Sequence, residues 1–140
     1  MANDAAIEPE LLAAALAVRG NAHVPYSQYP VGAALRTSSG AVFVGCNVEN
    51  AAYPEGLCAE AAAIAAMVAA GERTIAVIVT VCGVPGAAVG TCCGGCRQKI
   101  REFATADTVI HNADTAVDVR RTFTMDELLP DSFGPDDLIG

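Results

Sequence analysis

The chain predicts an α/β fold, a three-layer α/β/α sandwich built on a mixed sheet, and three observations lead there. A helical segment precedes two short strand-like runs that face each other across a turn. After them, apolar strands alternate with helices, the order that places helices on the faces of a sheet. One of those strands, IAVIVTV from Ile75 to Val81, is apolar at every position but Thr80. A strand of that kind needs cover on both sides and suits parallel pairing in the interior. The hairpin adds antiparallel neighbours, so the sheet is mixed.

Each element follows from its own punctuation. Pro9 to Arg19 reads as a first helix, with Glu8 and Glu10 suited to its start and Gly20 ending it. NAHVPYSQYPVG is a loop broken by Pro25, Pro30 and Gly32. VGAALRT and AVFVGCNV are strands joined by the turn TSSG, and NAAYPEGL is a second loop. The run CAEAAAIAAMVAA, Cys58 to Ala70, is a helix closed by Gly71; apolar all round, it belongs in a central, covered position. CGVPGAAVGT is a loop, Cys93 to Phe103 a helix with basic residues outward, and DTVIHN a strand. A last strand is expected near Ala116 to Thr122, then a short helix over Met125 to Leu129 and an acidic tail, DSFGPDDLIG. No repeat or low-complexity linker divides the chain, so residues 1–140 read as one domain.

Composition narrows the function. The core must be built from small residues, because 53% of the chain is hydrophobic while tryptophan is absent. Small residues permit close helix-to-sheet packing. A net charge of -8 argues against tracking a nucleic-acid backbone, which needs clustered Lys and Arg. No stretch reaches the roughly 18 to 20 apolar residues that span a bilayer. The N-terminus carries acid where a secretory signal carries base, so a cytoplasmic location is expected. In that compartment six cysteines are free thiols or metal ligands before they are disulfides.

The cysteines form a pattern. Cys93 and Cys96 have CxxC spacing at a helix start, where the helix dipole and free N–H groups favour thiolate. A redox pair or plain buried thiols would also read this way. Crossover geometry, however, brings the helix beginning near Cys58 alongside, and Cys58 then supplies a third sulfur. Three protein ligands on zinc leave a fourth position open, which is the catalytic arrangement. Glu60, the single charge in the apolar run, lies two residues beyond Cys58 and can reach that open position. Burying a carboxylate there is costly unless it has work to do or a partner. Proton transfer to and from water at the metal is such work. The bland reading of Glu60 is a helix N-terminal acid facing the macrodipole. His23 and His111 stand outside any motif and are assigned to structure or surface, and Cys46 and Cys82 to buried packing.

CAE followed by CxxC resembles the signature of the zinc deaminases. The chain resembles cytidine deaminases in particular, the small type with three cysteine ligands. The likeness runs nearly end to end, through VPYSQYPVGAAL, VGCNVENAAYPEGLCAE, CGGCRQKIREF and LLPDSFGPDDL. The resemblance implies a five-stranded sheet, a homotetramer, and hydrolytic conversion of cytidine or deoxycytidine to the uridine in pyrimidine salvage. It implies one zinc per subunit on Cys58, Cys93 and Cys96, with Glu60 as proton shuttle. Asn47 and Glu49 would hold sugar hydroxyls, Tyr29 and Ala59 would border the base, and Phe133 would enter a neighbouring subunit's pocket. The partner is a small nucleoside, with no nucleic-acid polymer and no membrane. Two positions depart from the pattern: Cys92 stands where proline is usual, and Ala61 where arginine often follows CAE. Cys92 could therefore exchange with Cys93 as ligand, and helix dipoles with Arg97 would have to offset the thiolate charge. Rival readings are a deaminase of an aminonucleoside antibiotic such as blasticidin S, and a structural zinc module, which would need a fourth protein ligand.

Overall fold

The computed structural model describes residues 5–83, 89–116 and 120–139. Its elements are α1 (Pro9–Arg19), β1 (Gly32–Thr37), β2 (Val42–Cys46), α2 (Ala59–Ala69), β3 (Ile75–Val81), α3 (Gly94–Phe103), β4 (Ala104–Ala113), β5 (Arg120–Thr124), α4 (Met125–Leu128) and α5 (Asp136–Ile139). The five strands form one sheet in the order β2-β1-β3-β4-β5. β3 and β4 run parallel and the other neighbours antiparallel, so the sheet is mixed as the element order predicts.

Two apolar clusters, one on each side of the sheet, make the three layers. Leu11 and Ala15 of α1 pack on Ala34, Val77, Val79 and Val81. On the opposite face, Ala63 and Met67 of α2 and Cys96 and Ile100 of α3 cover Leu35, Ile78 and Ile110. Each large side chain buried completely here contributes about 1.5–3 kcal/mol. The continuous apolar pattern of β3 thus arises because both of its faces are covered. Glycine sets the spacing on both sides. A Cβ at Gly32 would sit 2.1 Å from the Ala15 carbonyl oxygen, and one at Gly45 would sit 2.4 Å from the Ala63 nitrogen. Neither position tolerates a side chain while the helices lie this close.

Some boundaries differ from expectation, each for a local reason. Helix α2 begins at Ala59 and α3 at Gly94, leaving Cys58 and Cys93 as their N-caps in extended conformation. Among the described residues of the single chain, α2 is not covered all round: Ala65, Ala69 and Ala70 are exposed. Among the described residues β5 runs from Arg120 to Thr124. Ala116 lies in a turn, where its N–H donates to the Asp114 carboxylate at 3.1 Å. The rest of the early part of that expected strand, residues 117–119, lies outside the described residues, as does 84–88 of the loop after β3. The tail after α4, closed at its start by a Thr124–Glu127 capping box, contains the short α5. The Gly134 N–H donates to the Asp137 carboxylate at 2.8 Å and opens that turn. No helix among the described residues is long and apolar enough to cross a membrane.

Candidate active site

Parallel pairing of β3 with β4 through α3 sets α3 beside α2 on one face of the sheet, with their first turns adjacent. The N-cap sulfurs of Cys58 and Cys93 are 3.9 Å apart, and Cys96 Sγ joins them in a cluster within 4.8 Å. Tetrahedral zinc with Zn–S bonds of about 2.3 Å needs sulfurs about 3.8 Å apart. The three thiols fit that requirement with little adjustment, and soft sulfur donors suit the ion. Cys92 is not part of the cluster. It is buried, and its thiol points to the Asn112 side-chain oxygen at 3.5 Å. The structure therefore keeps the Cys58, Cys93, Cys96 spacing and offers no fourth sulfur among the described residues.

The thiols do not share one electrostatic environment. Burial pushes Cys96 well up, and the charges of Glu60 and Cys58 add to the rise. Burial also raises Cys58. Cys93 works against desolvation, yet hydrogen bonds from the Cys96 backbone and side chain, and from Cys58, bring it below its ordinary value. Without a cation, the cluster resists holding three thiolates together.

A cavity of about 230 Å³ opens beside the sulfurs. It is lined by Cys58, Ala59 and Glu60 at the start of α2, by Thr91, Cys92 and Cys93 ahead of α3, and by Tyr29, Val31 and Asn47; Thr80 comes from the C-terminal end of β3 and Cys82 directly follows that strand. Glu60 is only 5% exposed, in the first turn of α2; burial raises the Cys92 thiol pKa well above its ordinary value, and the Glu60 charge adds to the rise. Ala59 is fully buried beside it. Asn47 is fixed at both ends: its Oδ1 accepts the Val31 N–H at 2.8 Å, and its Nδ2 donates to the Tyr29 carbonyl at 2.9 Å. The Tyr29 hydroxyl lies against Cys82, and burial leads the rise of its pKa to about 12.

Two expected site residues lie elsewhere. Glu49 borders a separate cavity of about 370 Å³ with Tyr26 and Tyr53. Its Oε1 accepts the N–H groups of Tyr26 and Ser27 at 3.0 and 3.1 Å, and hydrogen bonding from Ser27 leads a lowering of its pKa. Phe133 is 58% exposed and does not line the sulfur cavity; Gln98 donates to its carbonyl at 2.8 Å and holds the tail against α3. Arg97 spends its guanidinium on the Cys92 carbonyl, the Leu128 carbonyl and the Thr91 hydroxyl, each at 2.8 Å. His111 is buried behind the sheet and bonds Thr122, a structural role as the sequence suggested. Sequence reasoning missed Thr80, Cys82 and Thr91 as cavity residues. The available signal was position, because ligands in open α/β sheets lie at the carboxyl ends of strands.

An α/β sandwich that sets three thiols on two helix N-termini, beside a buried carboxylate and a small cavity, is the framework of a zinc-dependent hydrolytic enzyme for small molecules. The family model described as the cytidine and deoxycytidylate deaminase zinc-binding region matches residues 7–112. A cytidine deaminase of Sporosarcina psychrophila is 37% identical over 129 residues, covering 92% of this chain and 93% of that protein. One from Mycobacterium tuberculosis is 40% identical over 128 residues, covering 86% and 90%. The crystal structure of cytidine deaminase from Burkholderia pseudomallei superposes with a TM-score of 0.83 at 38% identity, covering 91% of this chain and 100% of that one. The chain belongs to the cytidine and deoxycytidylate deaminase family; it is a hydrolytic deaminase, and zinc is its cofactor.

Proposed function

We propose that the protein deaminates cytidine, deoxycytidine or both as a step of pyrimidine salvage, with Cys58, Cys93 and Cys96 as the zinc ligands and Glu60 as the proton-transfer residue. The observation that carries this reading is the buried Glu60 carboxylate lining the same cavity as Cys58 and Cys93. When bound there, zinc lowers the pKa of water at its open position to about 7. Glu60 takes a proton from the attacking water and passes it to the ring nitrogen as oxygen adds at C4. It then transfers the second proton to the amino group, the C4–N bond breaks, ammonia leaves, and C4 becomes the carbonyl of uridine.

The remaining residues bind. Ala59 and Tyr29 shape the space for the base. Asn47, braced at both ends of its amide, offers its second lone pair and second N–H to a sugar hydroxyl. Glu49 receives both backbone bonds on Oε1, which leaves Oε2 for a hydroxyl donor. The protein functions as one domain over residues 1–140 and as a cytoplasmic homotetramer. In that assembly, Phe133 on the tail reaches into a neighbour's pocket, and its 58% exposure suits such a role. Acidity and the narrow cavity disfavour polynucleotides.

The test is Glu60→Gln, which keeps shape and zinc ligands but cannot shuttle protons. Zinc content and unfolding temperature should hold while ammonia release from cytidine falls at least ~10²–10⁴-fold, the usual contribution of general acid–base catalysis. Retention of a tenth or more of turnover would remove Glu60 from the mechanism. A panel including blasticidin S separates the nucleoside reading from the antibiotic one.

A further inference from the structure

Asn112 is fully buried on β4, outside the cavity wall. Its side-chain Oδ1 accepts three donors: the Thr80 hydroxyl at 2.9 Å, the Cys92 N–H at 3.1 Å and the Cys92 thiol at 3.5 Å. Its Nδ2, equally buried, has no hydrogen-bond partner among the described residues. A residue kept for packing alone would do better as leucine, of similar shape and with no amide to desolvate. What asparagine adds at this position is the acceptor.

We infer that Asn112 is a positioning residue for the metal site: it grips Cys92 and thereby aims Cys93, the next residue, into the sulfur cluster. The Cys92 peptide is held from both sides, its N–H by Asn112 and its carbonyl by Arg97 Nε at 2.8 Å. The clamp exists because residue 92 has an N–H to give; a proline there could not donate. Parallel register sets its anchor, since Thr80 and Asn112 are paired neighbours across β3 and β4. Cys93 then enters α3 as N-cap from a fixed starting point. Groups that hold a metal ligand in place without touching the metal commonly change affinity or activity 10–100-fold when removed.

The experiment compares Asn112→Leu and Asn112→Ala with Ile110→Val, a packing change on the same face of the same strand. The readouts are zinc affinity by chelator competition, the absorption spectrum of the cobalt-loaded protein, and amide exchange at Cys92 in the metal-free protein. Both Asn112 variants should lose about 10–100-fold in zinc affinity, alter the cobalt–thiolate bands and free the Cys92 amide to exchange. Their kcat should fall more than KM changes, and Ile110→Val should do none of this. Unchanged zinc affinity in whichever Asn112 variant folds, or an equal loss in Ile110→Val, overturns the inference. The inference concerns the metal site, and its affinity and exchange readouts need no nucleoside, so its failure stays distinct from failure of the substrate reading.

Discussion

Substituting Gly45 by alanine tests whether the sheet positions the active-site helix. The new methyl carbon would lie 2.4 Å from Ala63 N, 2.6 Å from the Ala59 oxygen and 2.7 Å from Ala62 Cβ. Ordinary contact begins near 3.4 Å, and two of these three neighbours are helix backbone, so α2 must retreat by about 1 Å. Overpacking of this kind costs roughly 1–3 kcal/mol, and rigid backbone puts it at the upper end. For a chain of this size that lowers Tm by roughly 10 °C. Gly32→Ala provides the control, because its methyl would meet Ala15 and Arg19 of α1 on the other face of the sheet. Both variants should lose comparable stability in thermal and urea unfolding. Only Gly45→Ala moves the helix that begins beside Cys58 and carries Glu60. A 1 Å misplacement of reacting groups costs about 10²-fold in rate. Measured at a temperature where both remain folded, Gly45→Ala should therefore lose about two orders of magnitude in kcat, and Gly32→Ala little. Equal kcat in the two variants would refute the idea that α2 is seated by this contact.

Stability should fall on mild acidification because of His111. Burial, with Arg120 adding to it, lowers its pKa from 6.5 to about 4, so the folded protein resists a proton that the unfolded chain accepts. The stabilisation is complete above pH 6.5 and is lost as pH falls toward 4, amounting to about 2 kcal/mol between pH 7 and 5. His111→Met should flatten that part of a urea-unfolding profile, and an unchanged slope would contradict the assignment. Arg97→Ala should cost about 2–4 kcal/mol, since it strands two carbonyls and a hydroxyl, and should weaken zinc binding through the 91–92 segment. Arg97→Lys should not restore zinc affinity, because it returns the charge without the three-way geometry. Full rescue by lysine would mean that charge alone matters.

Where chemistry is local, the chain was readable. Pro9 and Gly20 bracket the first helix, the unbroken apolar run marks β3, and cysteine spacing with a third thiol at another helix start gives the metal cluster. Legibility fails where position depends on pairing between distant segments. Thr80 and Asn112 are 32 residues apart in sequence and meet only through the β3–β4 register. Asn47 and Glu49 are two residues apart in sequence, and in the single chain they border different cavities. Residues two apart share a face only in a regular strand. Beyond Cys46 the chain is instead held by isolated bridges from Val48 to His23 and Leu57. Ala116 itself is held in the Asp114 turn, a local hydrogen bond that its strand-like neighbours in sequence do not announce.

The two departures from the family pattern answer different needs. Ala61 brings no guanidinium to the sulfurs, and Arg97 is bound to carbonyls and a hydroxyl rather than to the thiols. Positive potential at the cluster must then come from the ends of α2 and α3, whose N-caps are themselves the cluster thiols Cys58 and Cys93, and from a bound metal. Such a site gains little from mobile charges and depends heavily on aim: a helix dipole acts within its first turn, so a sulfur displaced from that turn loses the field and the metal geometry together. That dependence gives the residue before Cys93 its importance. At position 92 a cysteine gives up the rigid ring of proline but keeps an N–H, and β4 supplies a buried acceptor to hold it.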